Sequence, residues 1–194
     1  LASAVDTITT KITPFASPDT VARMIEERIS RDNNPDRKFF SYANTVTTIN
    51  FDKTVRGHGW VGIRFQTKEN EDYNEIVIHV KFKENDATLQ QETLGNLGVN
   101  LIFGAFNYFD NPRTLVESLY DDIAKDNLEI DMIDFSGPAF AYVDNRLMSL
   151  QLVKNGMTDA VIFNSEGNNM LPADVLYKKN IFAVRGSFRP VTKV

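Results

Sequence analysis

NDATLQQETLGNLGVNLIFGAF, residues 85–106, decides how this chain is read. Asn85-Asp86 supplies a helix start, because short polar side chains cap the free N–H groups of a first turn. The apolar positions that follow carry a helix to Gly98, where glycine allows the left-handed turn that ends helices. Val99 to Phe106 then reads as a short apolar strand.

Working downstream, the same alternation returns. Asn111-Pro112 opens a helix with Leu115, Val116, Leu119 and Ile123 on one face, and Leu128 to Phe135 is strand-like. Asp144-Asn145 opens a helix through Val153, Gly156 stops it, and Met157 to Phe163 is another strand. Asp86–Gly98 and Asp144–Gly156 share a spacing of twelve, which is reuse of helix-stop chemistry rather than a duplication. Helix, strand, helix, strand, helix, strand favours parallel strands with crossover helices, so a parallel β-α-β-α-β portion is expected around residues 99–163.

Upstream, Trp60 to Gln66 and Glu75 to Phe82 alternate apolar with polar residues, which predicts an antiparallel hairpin around residues 59–82. Phe39 to Phe51 is rich in Thr, Val, Ile and aromatics and favours an extended strand. Ser17-Pro18 begins an amphipathic helix that ends before Asn33-Asn34-Pro35. The expected fold is α/β with a mixed sheet, in one domain over 17–194 after a lead-in segment, 1–16. Because the sequence begins at Leu1, it reads as a fragment of a longer protein.

Charge is segregated along the chain. Val175 to Val194 holds five basic residues and no carboxylate, while the whole chain carries −5, so the first 174 residues sit at roughly −10. The acidic balance argues against a general nucleic-acid binder. The absence of cysteine excludes disulfide scaffolds, thiolate zinc sites and cysteine nucleophiles. Without a long apolar run or a basic-then-apolar leader, no membrane association is expected and a cytoplasmic location follows.

If the sheet is parallel, ligands bind beyond the carboxyl ends of its strands, where helix N-termini present free N–H groups. The richest such segment is 134–146. There Ser136, the Gly137 backbone, Asn145 and Arg146 can hold a phosphate or carboxylate, with Asp134 or Asp144 binding a sugar hydroxyl or handling a proton. The competing reading makes Asp144 an N-cap, Gly137-Pro138 a turn and Arg146 a solvated helix residue. His58, between glycines and next to Trp60, is the best general acid or base, though the leading reading is a plain hairpin-entry turn with Trp60 anchoring the core. His79, alternating with Ile78 and Val80, is read as a structural or surface strand residue. In the terminal segment Lys179 adds a cation, and Arg185 and Arg189 project to one side of an expected strand over Ile181–Arg189, where they could clamp one anion. No metal site is expected, and magnesium enters only with a phosphorylated ligand.

Four stretches also resemble a poorly characterised bacterial family: GHGWVGIRFQ from Gly57, NDATLQQETLGNLGVNLIFGAF from Asn85, VDNRLMSLQLVKNGMTDAVIF from Val143 and LYKKNIFAVRGSFRPVTKV from Leu176. Its members go under two conflicting labels, TonB-dependent receptor and nicotinate-nucleotide adenylyltransferase. The residues support neither. His58 and His79 are too far apart for the adenylyltransferase HxGH motif, its ISSTxxR signature is absent, and a series of lipid-facing strands is missing. The resemblance implies only a soluble bacterial domain and carries no catalytic residue over.

Two functions fit this sequence. One is a domain binding a small anionic ligand, phosphorylated or carboxylated, nucleotides included, with transferase chemistry as its enzymatic form. The other is a non-catalytic interaction or regulatory domain of a larger bacterial protein.

Overall fold

The computed structural model describes residues 38–184 and 186. Its centre is a four-stranded antiparallel sheet in simple order, β1 (Phe40–Thr47), β2 (His58–Phe65), β3 (Asn74–Phe82) and β4 (Leu128–Ser136). The expected hairpin is present as β2 and β3, with Val61 opposite Ile78 and Ile63 opposite Ile76. The helix expected after Ser17-Pro18 lies outside the described residues.

The expected parallel β-α-β-α-β portion over 99–163 is not formed, and the reason lies in the opening stretch. Ala87–Asn107 is one helix, α1, running through Gly98 without a break. Asp86 caps it by accepting from Thr88 N at 2.8 Å and Leu89 N at 3.0 Å. Leu94, Leu97, Leu101 and Ala105 keep the helical period across the glycine and are buried against the sheet. Gly98 is there for closeness, since a Cβ at that position would collide with the Tyr42 ring. Tertiary packing thus overrides the ~1 kcal/mol that an interior glycine costs a helix.

α1 is followed by α2 (Pro112–Ser118), entered through the expected Asn111 cap, and the two pack together where Gly104 meets Leu115 and Ser118. A single crossover helix returns the chain parallel to the strand it left, whereas a helix pair adds one reversal. β4 therefore re-enters beside β3 in the antiparallel sense. The Asp144-capped helix forms as α3 (Asn145–Lys154), and Gly156 adopts φ 68° after it as expected. The strand expected over Met157 to Phe163 shrinks to β5 (Ile162–Phe163), which pairs with β6 (Asn169–Met170) in a separate small hairpin. A short helix, α4 (Pro172–Leu176), is the last regular element among the described residues.

One sheet face holds the core. Val61, Ile63, Phe65, Ile76, Ile78, Val80 and Phe82 point to α1, α2 and α3 and are almost fully buried. Gln90 of α1 stitches the periphery to this core, with its Oε1 accepting from Ile49 N at 2.8 Å and its Nε2 donating to Glu84 O at 2.7 Å. The outer edge of β4 is closed by substitutes for a fifth strand. Asn145 accepts from Phe135 N at 2.9 Å and donates to Phe135 O at 3.0 Å, Asn169 donates to Ile133 O at 2.9 Å, and Ile130 N donates to Met157 O at 3.1 Å.

Replacing fully buried Gln90 by Leu leaves Ile49 N and Glu84 O without side-chain partners. Chemical denaturation should show a loss of about 2 kcal/mol, in the range for orphaned buried polar groups, with an unchanged m-value.

Candidate functional site

The segment 134–146 does border a cleft, although not for the reason that a parallel sheet would give. Its volume is about 600 Å³, and it lies between β4, the start of α3 and the turn before β6. Asp134 and Met132 reach it from the sheet, Tyr142, Asp144, Asn145 and Arg146 from the α3 side, and Asn168 and Asn169 from the turn.

Arg146 is not an open anion clamp. Its Nε donates to Asp144 Oδ1 at 3.0 Å and its Nη2 to Asp144 Oδ2 at 2.7 Å, so one bidentate carboxylate already occupies the guanidinium fork. Asp144 also caps α3 by accepting from Arg146 N at 3.0 Å. Arg146 holds the Asp144 carboxyl down to about 2, well below the ordinary carboxylate range. The cap reading of Asp144 is therefore the observed one, while Arg146 is tied to its own helix cap.

Asp134 behaves differently. It is half-buried opposite Val77, and burial raises its pKa, helped by the nearby Glu75 carboxylate. Of the two carboxyls of the cleft, Asp134 is thus shifted up and Asp144 down.

The other expected site residues scatter. Ser136 ends β4 opposite Glu75, and Gly137 takes φ 104° where a Cβ would strike Asn74 and the Tyr73 carbonyl; neither lines the cleft. Asn74 explains that turn, since its Oδ1 accepts from Ala139 N at 2.7 Å. Lys179 is exposed after α4 and does not line the cleft. Residues 181–184 form no strand, and Arg185 and Arg189 lie outside the described residues.

A second group of polar residues occupies the sheet face away from the core. His58 begins β2, exposed, and its ring centroid lies 5.6 Å from that of His79. The Trp60 ring meets His79 edge-on at 4.8 Å. His79 is buried, and its Nδ1–H donates to Asp131 Oδ1 at 2.6 Å, while Lys81 Nζ sits 2.8 Å from Asp131 Oδ2. Burial works against the Asp131 carboxylate, but the hydrogen bonds from His79 and Lys81 outweigh it and keep its pKa below the ordinary value.

Sequence reading missed Asp131 and Lys81, and the signal was a phase change. In LEIDMIDF, Leu128 and Ile130 face the core on even numbers, then Ile133 and Phe135 on odd ones. Val80 pairs with Ile130 and His79 with Met132, so Asp131 is the extra residue of a β-bulge. The bulge turns Asp131 and Met132 both toward the second face, where Asp131 meets His79.

Among the described residues, no group of three or more His, Asp or Glu is placed to hold a metal ion, and no helix is long and apolar enough to cross a membrane. Comparison with protein families, curated proteins and solved structures finds no match for the chain.

Asp131→Asn keeps the shape and removes the charge that His79 and Lys81 share. At neutral pH it should cost about 3 kcal/mol, the low end for breaking a buried pair because Lys81 still reaches water. The sign with pH follows from a depressed carboxyl: its stabilisation is full above the ordinary value of ~3.9 and fades as pH falls through the lower folded value. Urea melts of the two proteins should therefore converge in acid.

Proposed function

We propose that this domain binds a small hydroxyl-rich ligand, a sugar or polyol of the cytoplasm, in the cleft between β4 and the start of α3. The observation that carries the reading is the company Asp134 keeps. A half-buried carboxyl with a raised pKa shares one cleft with the Asn168 side chain, beside the Asn169 amide that is bonded to the sheet edge. Paired Asp and Asn side chains accept from and donate to neighbouring hydroxyls, which suits a ligand with many of them. Tyr142, 67% exposed, adds an apolar ring face for the C–H side of such a ligand.

Charge favours a neutral ligand over an anionic one. Asp134 and Asp144 outnumber Arg146 along the cleft, and Arg146 is already paired. The anionic ligand is the second reading, supported by one feature: the side chains of Arg146 and Asp144 are 55% and 36% exposed, so a phosphate could replace Asp144 on the fork at little cost. Magnesium belongs only to that reading, as the companion of the phosphate. If the site is catalytic in a transferase sense, Asp134 is the proton-handling group. A purely binding role uses the same contacts.

Thermal-shift titration with neutral sugars, polyols and nucleosides beside their phosphorylated forms, with and without magnesium, separates these readings. A ligand at a hundred times its Kd adds about 2.7 kcal/mol of stability, so a true binder is visible. Neutral compounds should raise the melting temperature and lose the effect in Asp134→Ala, while Arg146→Gln leaves it nearly unchanged. A response confined to phosphorylated compounds and abolished by Arg146→Gln would establish the anionic reading instead.

The raised Asp134 pKa adds a pH signature. A hydroxyl donating to ionised Asp134 meets a weaker acceptor once the carboxyl protonates, so as pH is lowered affinity should begin to fall earlier than an unshifted carboxyl would make it. Calorimetric titration should show that fall in the native protein and a flat profile in Asp134→Asn.

A further inference from the structure

The two edges of the sheet are treated in opposite ways. Four hydrogen bonds from Asn145, Asn169 and Met157 close the outer edge of β4. Among the described residues, nothing pairs with the outer edge of β1. Natural edge strands are usually protected by a lysine, a proline, a bulge or shortness. β1 has none of these: FSYANTVT carries no charge and no proline, and all eight residues pair with β2 in unbroken register.

The register also shows which groups are on offer. Gln66 N donates to Phe39 O, so odd-numbered residues of β1 exchange hydrogen bonds with β2. The N–H and C=O groups of Tyr42, Asn44 and Val46 consequently point outward. A ladder of this length is a template for one more strand.

A strand-forming segment of the same chain sits without packing. After α4, Ile181, Phe182 and Val184 are 56%, 91% and 64% exposed and belong to no secondary structure. β-branched and aromatic side chains in succession favour extended structure. The segment leaves from the β4 side of the sheet, since α4 directly follows β6 and β6 contacts β4. β1 is three strand spacings away, roughly 14 Å, on the far edge. Charge complements the geometry, because residues 175–194 carry five cations and no carboxylate whereas the remainder carries roughly −10.

We propose that the segment around Ile181–Val184 of one copy adds as a strand to the outer edge of β1 in a second copy. Reciprocal exchange closes the pair into a two-fold dimer, with each copy giving one arm and receiving one. Backbone hydrogen bonds to Tyr42, Asn44 and Val46 hold the arm, and the basic charge of its surroundings steers it to the acidic body of its partner. The inference is independent of the cleft and its ligand.

Complementation between two full-length variants tests it. Asn44→Pro removes an outward N–H without touching the β1–β2 ladder, and Phe182→Glu/Val184→Glu spoils the arm at exposed positions. Light scattering after gel filtration at about 100 µM, where a micromolar contact is saturated, should give twice the chain mass for the native protein. Each variant alone should give the single mass and, unlike the native dimer, a cooperative melting transition that does not move with protein concentration. An equimolar mixture should regain a one-to-one complex, joined by the intact arm of the first variant and the intact edge of the second, and should weaken with salt. A monomeric native protein, a dimer persisting in either variant, or a mixture that stays monomeric would each overturn the proposal, the first outcome including an arm that folds back on its own chain.

Discussion

The close approach of α1 to Tyr42 at Gly98 is the constraint on which the rest of the structure depends. The helix backbone at Gly98 comes so near that a Cβ would strike the ring, and α1 continues over β1 and β2 for 21 residues. At 1.5 Å per residue that is about 31 Å, enough to run the length of the sheet and beyond. The chain then needs α2 to come back, and this extra reversal sets β4 antiparallel to β3. Had the helix stopped at Gly98, residues 99–106 could have entered the sheet and every later strand would have changed direction.

β4 in turn carries the polar chemistry. Its bulge places Asp131 under His79 and Lys81, while Met132 and Asp134, beyond the bulge, face the cleft. The same strand therefore holds two carboxyls in opposite electrical situations. Asp131 is surrounded by donors that hold its pKa down despite its burial, whereas burial, helped by the Glu75 carboxylate, raises that of Asp134. Two residues on one strand are thus shifted in opposite directions, because only Asp131 has donors that outweigh burial.

What was legible in the sequence follows from how local each signal is. The β2–β3 hairpin and the caps at Asp86, Asn111 and Asp144 were readable because alternation and capping act within a few residues. The error at Gly98 arose because a glycine that ends a helix and one that admits a neighbouring ring look alike until the ring's position is known. Period alone held the answer, since Leu94, Leu97, Leu101 and Ala105 continue across the glycine. The cleft was located by a rule for parallel sheets that does not apply here. It was found nonetheless, because Asp144-Asn145 does start a helix beside a strand end. The Asp144 cap was the alternative reading, but the pairing of Arg146 with Asp144 was not foreseen, since a solvated helix residue and a paired one look alike in sequence.

Asn145 shows why this cleft is a stiff one. Its backbone begins α3, its side chain takes both the N–H and the C=O of Phe135, and it lines the cleft from the same position. Asn169 repeats the arrangement from the turn, donating to Ile133 O and to Asn145 O. Opening the cleft along this wall would break strand-edge hydrogen bonds that have no substitute in the half-buried interior, at a cost comparable to orphaning each group. The Asn145 and Asn169 amides are thus taken up by the strand edge, and they fix the wall of the cleft in place. The protection of the β4 edge and the shaping of the cleft are one set of bonds.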